Sequence, residues 1–346
     1  MPLIRHRLPT CLAKRPPWLW LLGLVVALQC LGMAKPILLQ DGSNMYRYLT
    51  KQVDVAQSHD AEASDALAAL ISGDVTDVPL DAFSGTDEAY YQQHKQQRIK
   101  QVDRGIGLGL CLITFLALAC PYRSRVTVLC LLALACFVAV DAYCAKLNAG
   151  KAFSELSPYS IATRVAAPLA LGLAIFATRR RPKGDASHAA EKHGPCENTW
   201  QPWSTRTGFV FDGLIRLAIA ITFVAHGYKA ICGHPLFQDL IALSARRIGL
   251  MFDVETTLLL MRIIGWQDIL LAGALLLFRH KALLYWVACW GIITAFSRMT
   301  AMGFTVYDMT LIRAANGGLA LVLLLFWTWH QEKINKSTNR FGWRPL

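Results

Sequence analysis

The residues best able to do chemistry in this sequence are ionisable side chains inside apolar segments. Thr222, His226 and Lys229 recur at helical spacing within the apolar stretch 215–229, so they would share one face of a helix. Because ionisable groups are costly in hydrocarbon, such residues usually face a bundle interior or a wet cavity. This face indicates a ligand site, or a simpler arrangement in which Lys229 extends to the lipid headgroups and His226 makes a helix contact.

Further polar residues on the following segments would lie near the same outer boundary, because a helix rises about 1.5 Å per residue. With the first face they define seven candidate ligand-binding residues: His226, Lys229, Arg262, Asp268, Arg298, Arg313 and Asn316. In this hypothesis Asp268 and Asn316 orient the basic residues. The mostly cationic pocket, lined by tryptophan and tyrosine, would hold an anionic or quinone-like amphiphile through guanidinium and imidazole donors.

Two other interpretations of these charges stay open. In the first, the arginines are interface anchors that pair with lipid phosphates and Asp308, while Asp268 neutralises Arg216. In the second, the charges form a path for protons or ions. A transporter needs a continuous polar path through both leaflets, which the cytoplasmic halves of these segments do not supply.

Composition predicts an integral membrane protein. The chain is 54% hydrophobic and 17% charged, against about 25% charged residues in an average soluble domain, and its mean hydropathy is +0.36. The formal net charge of +12 does not indicate nucleic-acid binding, because the basic residues crowd short hydrophilic pieces beside alternate apolar segments. No nucleic-acid module is recognisable.

Apolar segments at 18–34, 105–121, 126–145, 162–178, 208–230, 257–278, 282–298 and 310–329 predict an all-α protein with eight transmembrane helices. Placing the basic pieces inside puts both termini in the cytoplasm, in the inner membrane of a bacterium. The first segment would also suit a cleaved signal peptide.

The predicted units are an N-terminal four-helix unit at 1–181, a cytoplasmic linker at 182–206, a C-terminal four-helix unit at 207–330 and a cytoplasmic tail at 331–346. The first unit contains an extracytoplasmic loop at 35–103, with a short amphipathic helix at 64–71. A partner protein would dock on this loop, and membrane lipid surrounds the helices.

The two halves show corresponding basic positions, which predicts two parallel four-helix repeats. The corresponding pairs are Arg164 with Arg313, Arg104 with Arg262, and Lys35 with Lys229. An even number of helices in each half relates the repeats by an axis along the membrane normal. Cleavage of the first helix would leave one half with three, which favours its retention.

The second half resembles the DoxX-like membrane protein family over about 208–329. The resemblance is carried by His226-Gly227, by 234–241, by Gly265-Trp266-Gln267-Asp268 and by 313–321, whereas the first half keeps only Arg164 and the run after it. It implies a four-helix bundle. Because members have been linked to quinone-coupled oxidation of small sulfur compounds, it also implies a binding or electron-transfer-associated subunit and a quinone as its cofactor.

No catalytic or cofactor motif stands on its own, so a catalytic role extends only to an accessory subunit of a quinone-linked oxidoreductase. Haem ligation would need a second embedded histidine, and no flavin, nucleotide or Ser-His-Asp pattern is visible. The alternative function is a structural or assembly scaffold, and a transporter comes third.

The linker residues His188, His193 and Cys196 match no zinc pattern. One disulfide among Cys30, Cys144 and Cys232 would be compatible with their positions.

Overall fold

The computed structural model describes residues 16–40, 42–52, 85–119, 125–148, 153–179 and 205–340. Within these ranges the regular structure is entirely helical. The leucine- and alanine-rich segments favour helix, and a helix satisfies its own backbone hydrogen bonds, as hydrocarbon requires. The amphipathic helix predicted at 64–71 and the linker residues His188, His193 and Cys196 lie outside the described residues.

The helices are α1 (Pro17–Leu39), α2 (Gly85–Ala119), α3 (Arg125–Leu147), α4 (Ser157–Ser160), α5 (Ala162–Arg179), α6 (Thr205–Ile231), α7 (Pro235–Arg247), α8 (Val254–Leu277), α9 (Lys281–Met302), α10 (Tyr307–Leu311) and α11 (Ala314–Arg340). Residues 44–52 form a further helical segment after α1. Short 3-10 helices at Ser154–Leu156 and Phe304–Val306 precede α4 and α10.

Seven helices in the described part of the chain are long and apolar enough to cross a membrane. An eighth span is present if Phe304–Leu311 and Ala314–Glu332, which are bent by 50° relative to each other, cross as one unit. The predicted all-helical class is confirmed, and seven or eight span-length apolar helices are the architecture of an integral membrane protein.

Two predicted segments differ from the structure by more than the few residues expected at helix ends. The segment at 105–121 is only the end of α2, which begins at Gly85, so residues 85–103 are helix rather than loop. Hydropathy detects only the apolar part of this helix, although its glutamines, lysines and arginines are also good helix formers. The last predicted segment at 310–329 is interrupted between α10 and α11 at Ile312 and Arg313.

The long helices pack in pairs. The largest interfaces join α1 with α2, α3 with α5, α6 with α8, and α9 with α11. Contacts of α1 with α11 and of α5 with α6 join the two halves around one buried core. In that core the ring of Trp18 meets Phe211 and Phe326 edge to face, each with centroids 5.4 Å apart.

Small residues allow α9 and α11 to touch backbone to backbone. A Cβ atom on Gly291 would lie 2.7 Å from the backbone nitrogen of Gly317, and one on Gly317 would lie 2.7 Å from the carbonyl oxygen of Ala288. Such close crossings are typical of membrane helices. This contact fixes the start of α11, and therefore Asn316, against α9.

A charged cluster lies at the beginning of α6 and corrects one sequence interpretation. Arg216 is not neutralised by Asp268: it lies 3.5 Å from Asp212 and its Nε donates to the carbonyl oxygen of Leu275 at 2.8 Å. Asp212 also lies 3.1 Å from Arg279. Because Asp212 precedes Arg216 by one helical turn, the pair satisfies itself locally. Asp268 lies two helical turns before Leu275 on α8 and accepts a hydrogen bond from Trp290 instead.

Candidate functional site

A cavity of about 960 Å³ lies where α6 and α9 end and where α8 and α11 begin. The amphipathic helix α7 packs on α8 and α9 and forms one side, and the first half contributes residues from α4 and α5. Gly233, with a φ of +71°, makes the turn from α6 to α7. A side chain there would be strained, so glycine suits the reversal that places α7 over the cavity.

Six of the seven residues predicted to bind a ligand line this cavity: His226, Lys229, Asp268, Arg298, Arg313 and Asn316. The structure does not bring Arg262 to them. Met261, Gly265 and Asp268 recur on the buried face of α8, whereas Arg262 is one residue out of that register and is exposed. A rotation of about 100° per residue separates it from the cavity face.

Arg164 of α5 also lines the cavity, although the sequence did not place it in the site. Its Nε is buried without a hydrogen-bond partner, and its carbonyl oxygen accepts a hydrogen bond of 2.9 Å from Nε2 of Gln29. The sequence did contain one indication that Arg164 belongs to the site, namely its correspondence with Arg313 in the proposed internal repeat. What the sequence does not contain is the contact between α5 and α6, which brings the first half to the site.

The four cations of the cavity are not neutralised by acidic residues. The ion pairs within the described residues are Lys35 with Asp308, and Asp212 with Arg216 and Arg279, so Arg164, Lys229, Arg298 and Arg313 take part in none of them. The pairing of Arg313 with Asp308 expected in the anchor interpretation is therefore not formed: Asp308 lies 2.6 Å from Lys35.

The basic groups instead use weak or neutral partners. Lys229, whose exposed fraction is 8%, donates to Oγ of Ser160 across a long 3.4 Å. Arg313 donates to the carbonyl oxygen of Met309 in the preceding turn. Neutral acceptors do not cancel these charges, and the cavity therefore presents positive potential to whatever enters it.

Asp268 is the one acidic residue among those described as lining the cavity. It is 6% exposed, and its Oδ1 accepts a hydrogen bond of 2.6 Å from Nε1 of Trp290. This bond crosses from α9 to α8 and holds the carboxyl group at the wall. Asp268 forms no ion pair with the cavity's cations in the described structure.

Asn316 belongs to a buried network that joins the two halves. Oγ1 of Thr163 donates to Oδ1 of Asn316 at 2.8 Å, and the backbone N–H of Thr163 donates to Oγ1 of Thr222 at 3.1 Å. The side chains of Thr163 and Thr222 are both fully buried. The network holds α5, α6 and α11 together at the cavity and fixes Arg164, the neighbour of Thr163.

Stacked rings form another part of the wall. His234 lies between Phe153 and Phe237, with centroid distances of 5.2 and 5.1 Å, and His226 meets Phe237 edge to face at 6.0 Å. Nδ1 of His234 accepts a hydrogen bond of 3.2 Å from the backbone N–H of Leu236 and so caps the start of α7. His234 therefore has a structural role at the cavity edge.

A smaller cavity of about 300 Å³ lies at the corresponding ends of α1, α3 and α5. Ser157, Ser160 and Arg164 line both cavities. Here Asp141 is satisfied locally, because it accepts hydrogen bonds from Nδ2 of Asn44 at 2.8 Å and from the backbone N–H of Met45 at 3.1 Å. Two arginines, Arg47 and Arg164, line the small cavity beside Asp141, against four lysine and arginine residues in the large one.

Metal and disulfide chemistry find no support in the described part of the chain. It contains no group of three or more histidine, cysteine, aspartate or glutamate residues placed to hold a metal ion. Cys30, Cys144 and Cys232 are free thiols, so the disulfide considered from their positions is not formed.

Comparisons of this chain with protein-family models, with curated proteins and with solved structures find no match.

Proposed function

We propose that this protein is an integral membrane protein that binds an anionic amphiphile in the large cavity. One observation carries the proposal: Arg164, Lys229, Arg298 and Arg313 line a single cavity and none is ion-paired within the described structure. Removing charge from water without a counter-charge is costly. A bound anion would supply that counter-charge and would gain strong, charge-assisted hydrogen bonds.

The rest of the cavity suits the apolar part of such a ligand. Its walls include Leu240, Met261 and Ile264, and its rim includes Ile248 and Ile293, which are 74% and 58% exposed. Ile293 lies on a span-length helix, where an exposed apolar side chain faces hydrocarbon. An amphiphile would therefore enter from the bilayer and place its charged end among the basic residues.

The contrast with the other charges argues against a scaffold whose ionisable groups only fix the helices. Where charges fix helices in this fold, they are paired: Lys35 with Asp308, and Arg216 with Asp212. In the cavity, by contrast, four basic residues have no acidic partner within the described structure. Stability alone gives no reason for this departure, whereas anion binding does.

A narrower form of the proposal is a DoxX-like, electron-transfer-associated subunit with a quinone-type ligand. It is supported by the presence of His226 and Asp268 in the same cavity, since an imidazole N–H can donate to a quinone carbonyl oxygen and a carboxylate can accept from the hydroxyl group of the reduced, quinol form. A neutral quinone would leave the basic residues without a counter-charge. The anionic ligand therefore comes first.

We also propose that the protein consists of two parallel four-helix repeats, with both termini in the cytoplasm of a bacterial inner membrane. Support comes from equivalent helix pairing in the two halves and from the small cavity at the corresponding place. Gly107 of α2 approaches Leu38 of α1 much as Gly265 of α8 approaches Ile231 of α6, with a Cβ atom at either glycine 2.7 Å from its neighbour's side chain.

The test is native mass spectrometry of the full-length protein in nanodiscs formed from its host's own lipids. We expect one anionic amphiphile per chain, retained roughly tenfold less in Arg298→Gln and Arg313→Gln, because hydrogen bonds to charged groups contribute about 1.5–3 kcal/mol. Arg262→Gln is the matched control, since it removes an exposed arginine outside the cavity. Equal loss in all three variants would contradict a specific site, and bulk lipid alone in the wild type would favour the scaffold.

A further inference from the structure

The charge balance of the large cavity narrows the chemistry of its ligand. Four basic side chains face one carboxylate, Asp268, which is held by Trp290. A ligand with a single negative charge, such as a carboxylate or a phosphodiester, would leave most of this positive charge uncompensated. The balance favours a head group with about two or more negative charges.

The arrangement of the three arginine side chains narrows the choice of head group further. Arg164, Arg298 and Arg313 all line the cavity but come from different places in the chain: α5, α9 and the residue before α11. A guanidinium group is a planar fork that matches the oxygens of carboxylates and phosphates. Three such groups on separate elements around one cavity suit a ligand group with three terminal oxygens better than one with two.

A terminal phosphate group meets both requirements, because it carries about 1.5 to 2 negative charges at pH 7 and three acceptor oxygens. We infer that the large cavity binds a terminal phosphate or diphosphate group. This inference rests on the proposed function and adds the identity of the head group. The apolar walls favour a lipid as its carrier, and a soluble phosphate compound is the other source of the same chemistry.

The experiment compares two lipids that share their acyl chains. The full-length protein is placed in phosphatidylcholine nanodiscs doped with either dioleoyl phosphatidic acid or dioleoyl phosphatidylglycerol, and bound lipid is counted by native mass spectrometry. We expect phosphatidic acid to be retained at one copy per chain and at least about tenfold better than phosphatidylglycerol, since one additional charge-assisted contact suffices for that factor.

Variants then place the lipid in the cavity. Arg164→Gln and Arg298→Gln should each lower retention of phosphatidic acid roughly tenfold, and Arg262→Gln should leave it unchanged. Should a cavity variant fail to fold, the comparison of the two lipids on the wild type still tests whether the protein prefers a terminal phosphate to a phosphodiester, and Arg313→Gln replaces the failed variant. Inorganic phosphate serves as the soluble probe: if it binds with Arg298 dependence and phosphatidic acid binds no better, the phosphate chemistry stands and its source is soluble.

Different outcomes would overturn the phosphate inference and the anionic site. Equal retention of phosphatidic acid and phosphatidylglycerol, both lost in Arg298→Gln, would overturn the phosphate inference and leave the anionic site standing. Absence of any retained anion that depends on Arg164 or Arg298 would overturn both.

Discussion

Gly227 of α6 and Gly265 of α8 face each other with no side chain between them: a Cβ atom on either would lie 2.6 Å from the carbonyl oxygen of the other. This crossing lies directly beside the candidate site. Gly227 follows His226, and its added Cβ would also lie 3.2 Å from Cβ of Asp268. The two glycines therefore set the separation between the helices that carry the imidazole and the carboxyl group.

We predict that Gly265→Ala destabilises the protein by about 1–3 kcal/mol, because the new methyl group forces backbone atoms of α6 and α8 apart. Retention of the anionic ligand should fall with it, since Asp268 and His226 move relative to each other. The measurement is thermal unfolding in one detergent. Gly273→Ala on the same helix is the control, because a Cβ atom there meets nothing within 4 Å. Equal melting temperatures for the two variants would contradict the close crossing.

Helical spacing was sufficient to find two basic residues of the cavity wall, His226 and Lys229. Thr222, His226 and Lys229 follow one another at intervals of four and three, and the structure places all three side chains on the inner side of α6. A spacing argument works where a helix packs on one side only. Arg262 was chosen by its depth in the bilayer and not by its spacing, and in the structure it is exposed, one residue out of register with Met261.

Long-range packing accounts for what the sequence did not predict. Arg164 reaches the cavity only because α5 of the first half packs on α6 of the second, which no local pattern encodes. Asp212 is different: it precedes Arg216 by one turn, so the pair was available from spacing alone. Helix α7 is amphipathic and too short to cross a membrane, and a search for apolar spans passes over it.

Asp212→Asn should destabilise the fold while sparing the cavity, because Asp212 balances Arg216 and Arg279 and accepts a hydrogen bond of 2.7 Å from Nε1 of Trp327. Removing one member of a buried pair costs about 3–5 kcal/mol. Thermal unfolding measures the loss. Asp239→Asn, which alters an exposed aspartate on α7, should be neutral. An unchanged melting temperature for Asp212→Asn would show that Arg216 is satisfied by carbonyl oxygens alone.

The bond between Lys35 and Asp308 should couple α1 to the start of the bent pair α10 and α11. Nζ of Lys35 lies 2.6 Å from Oδ1 of Asp308 and also donates to the carbonyl oxygen of Thr305 at 2.6 Å. We expect a coupling free energy of roughly 0.5–3 kcal/mol in a double-mutant cycle of Lys35→Met and Asp308→Asn. Additive effects of the two substitutions on unfolding would show that the ion pair does not connect these elements.

Thr163→Val should leave Oδ1 of Asn316 buried without its donor, at a cost of about 1–3 kcal/mol. The side chains of threonine and valine have nearly the same shape, and the backbone bond from Thr163 to Thr222 remains. The loss therefore reports mainly on the bond to Asn316, because the other bond of this hydroxyl group, accepted from Oγ1 of Thr222, is long at 3.5 Å. Thermal unfolding is the measurement, with the exposed Thr256→Val as control. A loss no larger than that of the control would show that Asn316 does not depend on this donor.

Asp268→Asn separates an anionic ligand from a quinone-type one, because the two proposals predict opposite signs. If the cavity holds an anion, removing its one described carboxylate lowers repulsion and should strengthen retention of the anion by about 1 kcal/mol, the Coulomb energy of two unit charges roughly 4 Å apart in water. If Asp268 instead accepts a charge-assisted hydrogen bond from the hydroxyl group of a quinol, the same change should weaken retention of that ligand. The asparagine keeps an acceptor for Nε1 of Trp290, so the wall is preserved. Ligand retention by native mass spectrometry, measured beside Arg298→Gln, gives the sign: opposite effects of the two variants support the anion, and parallel losses support the quinone.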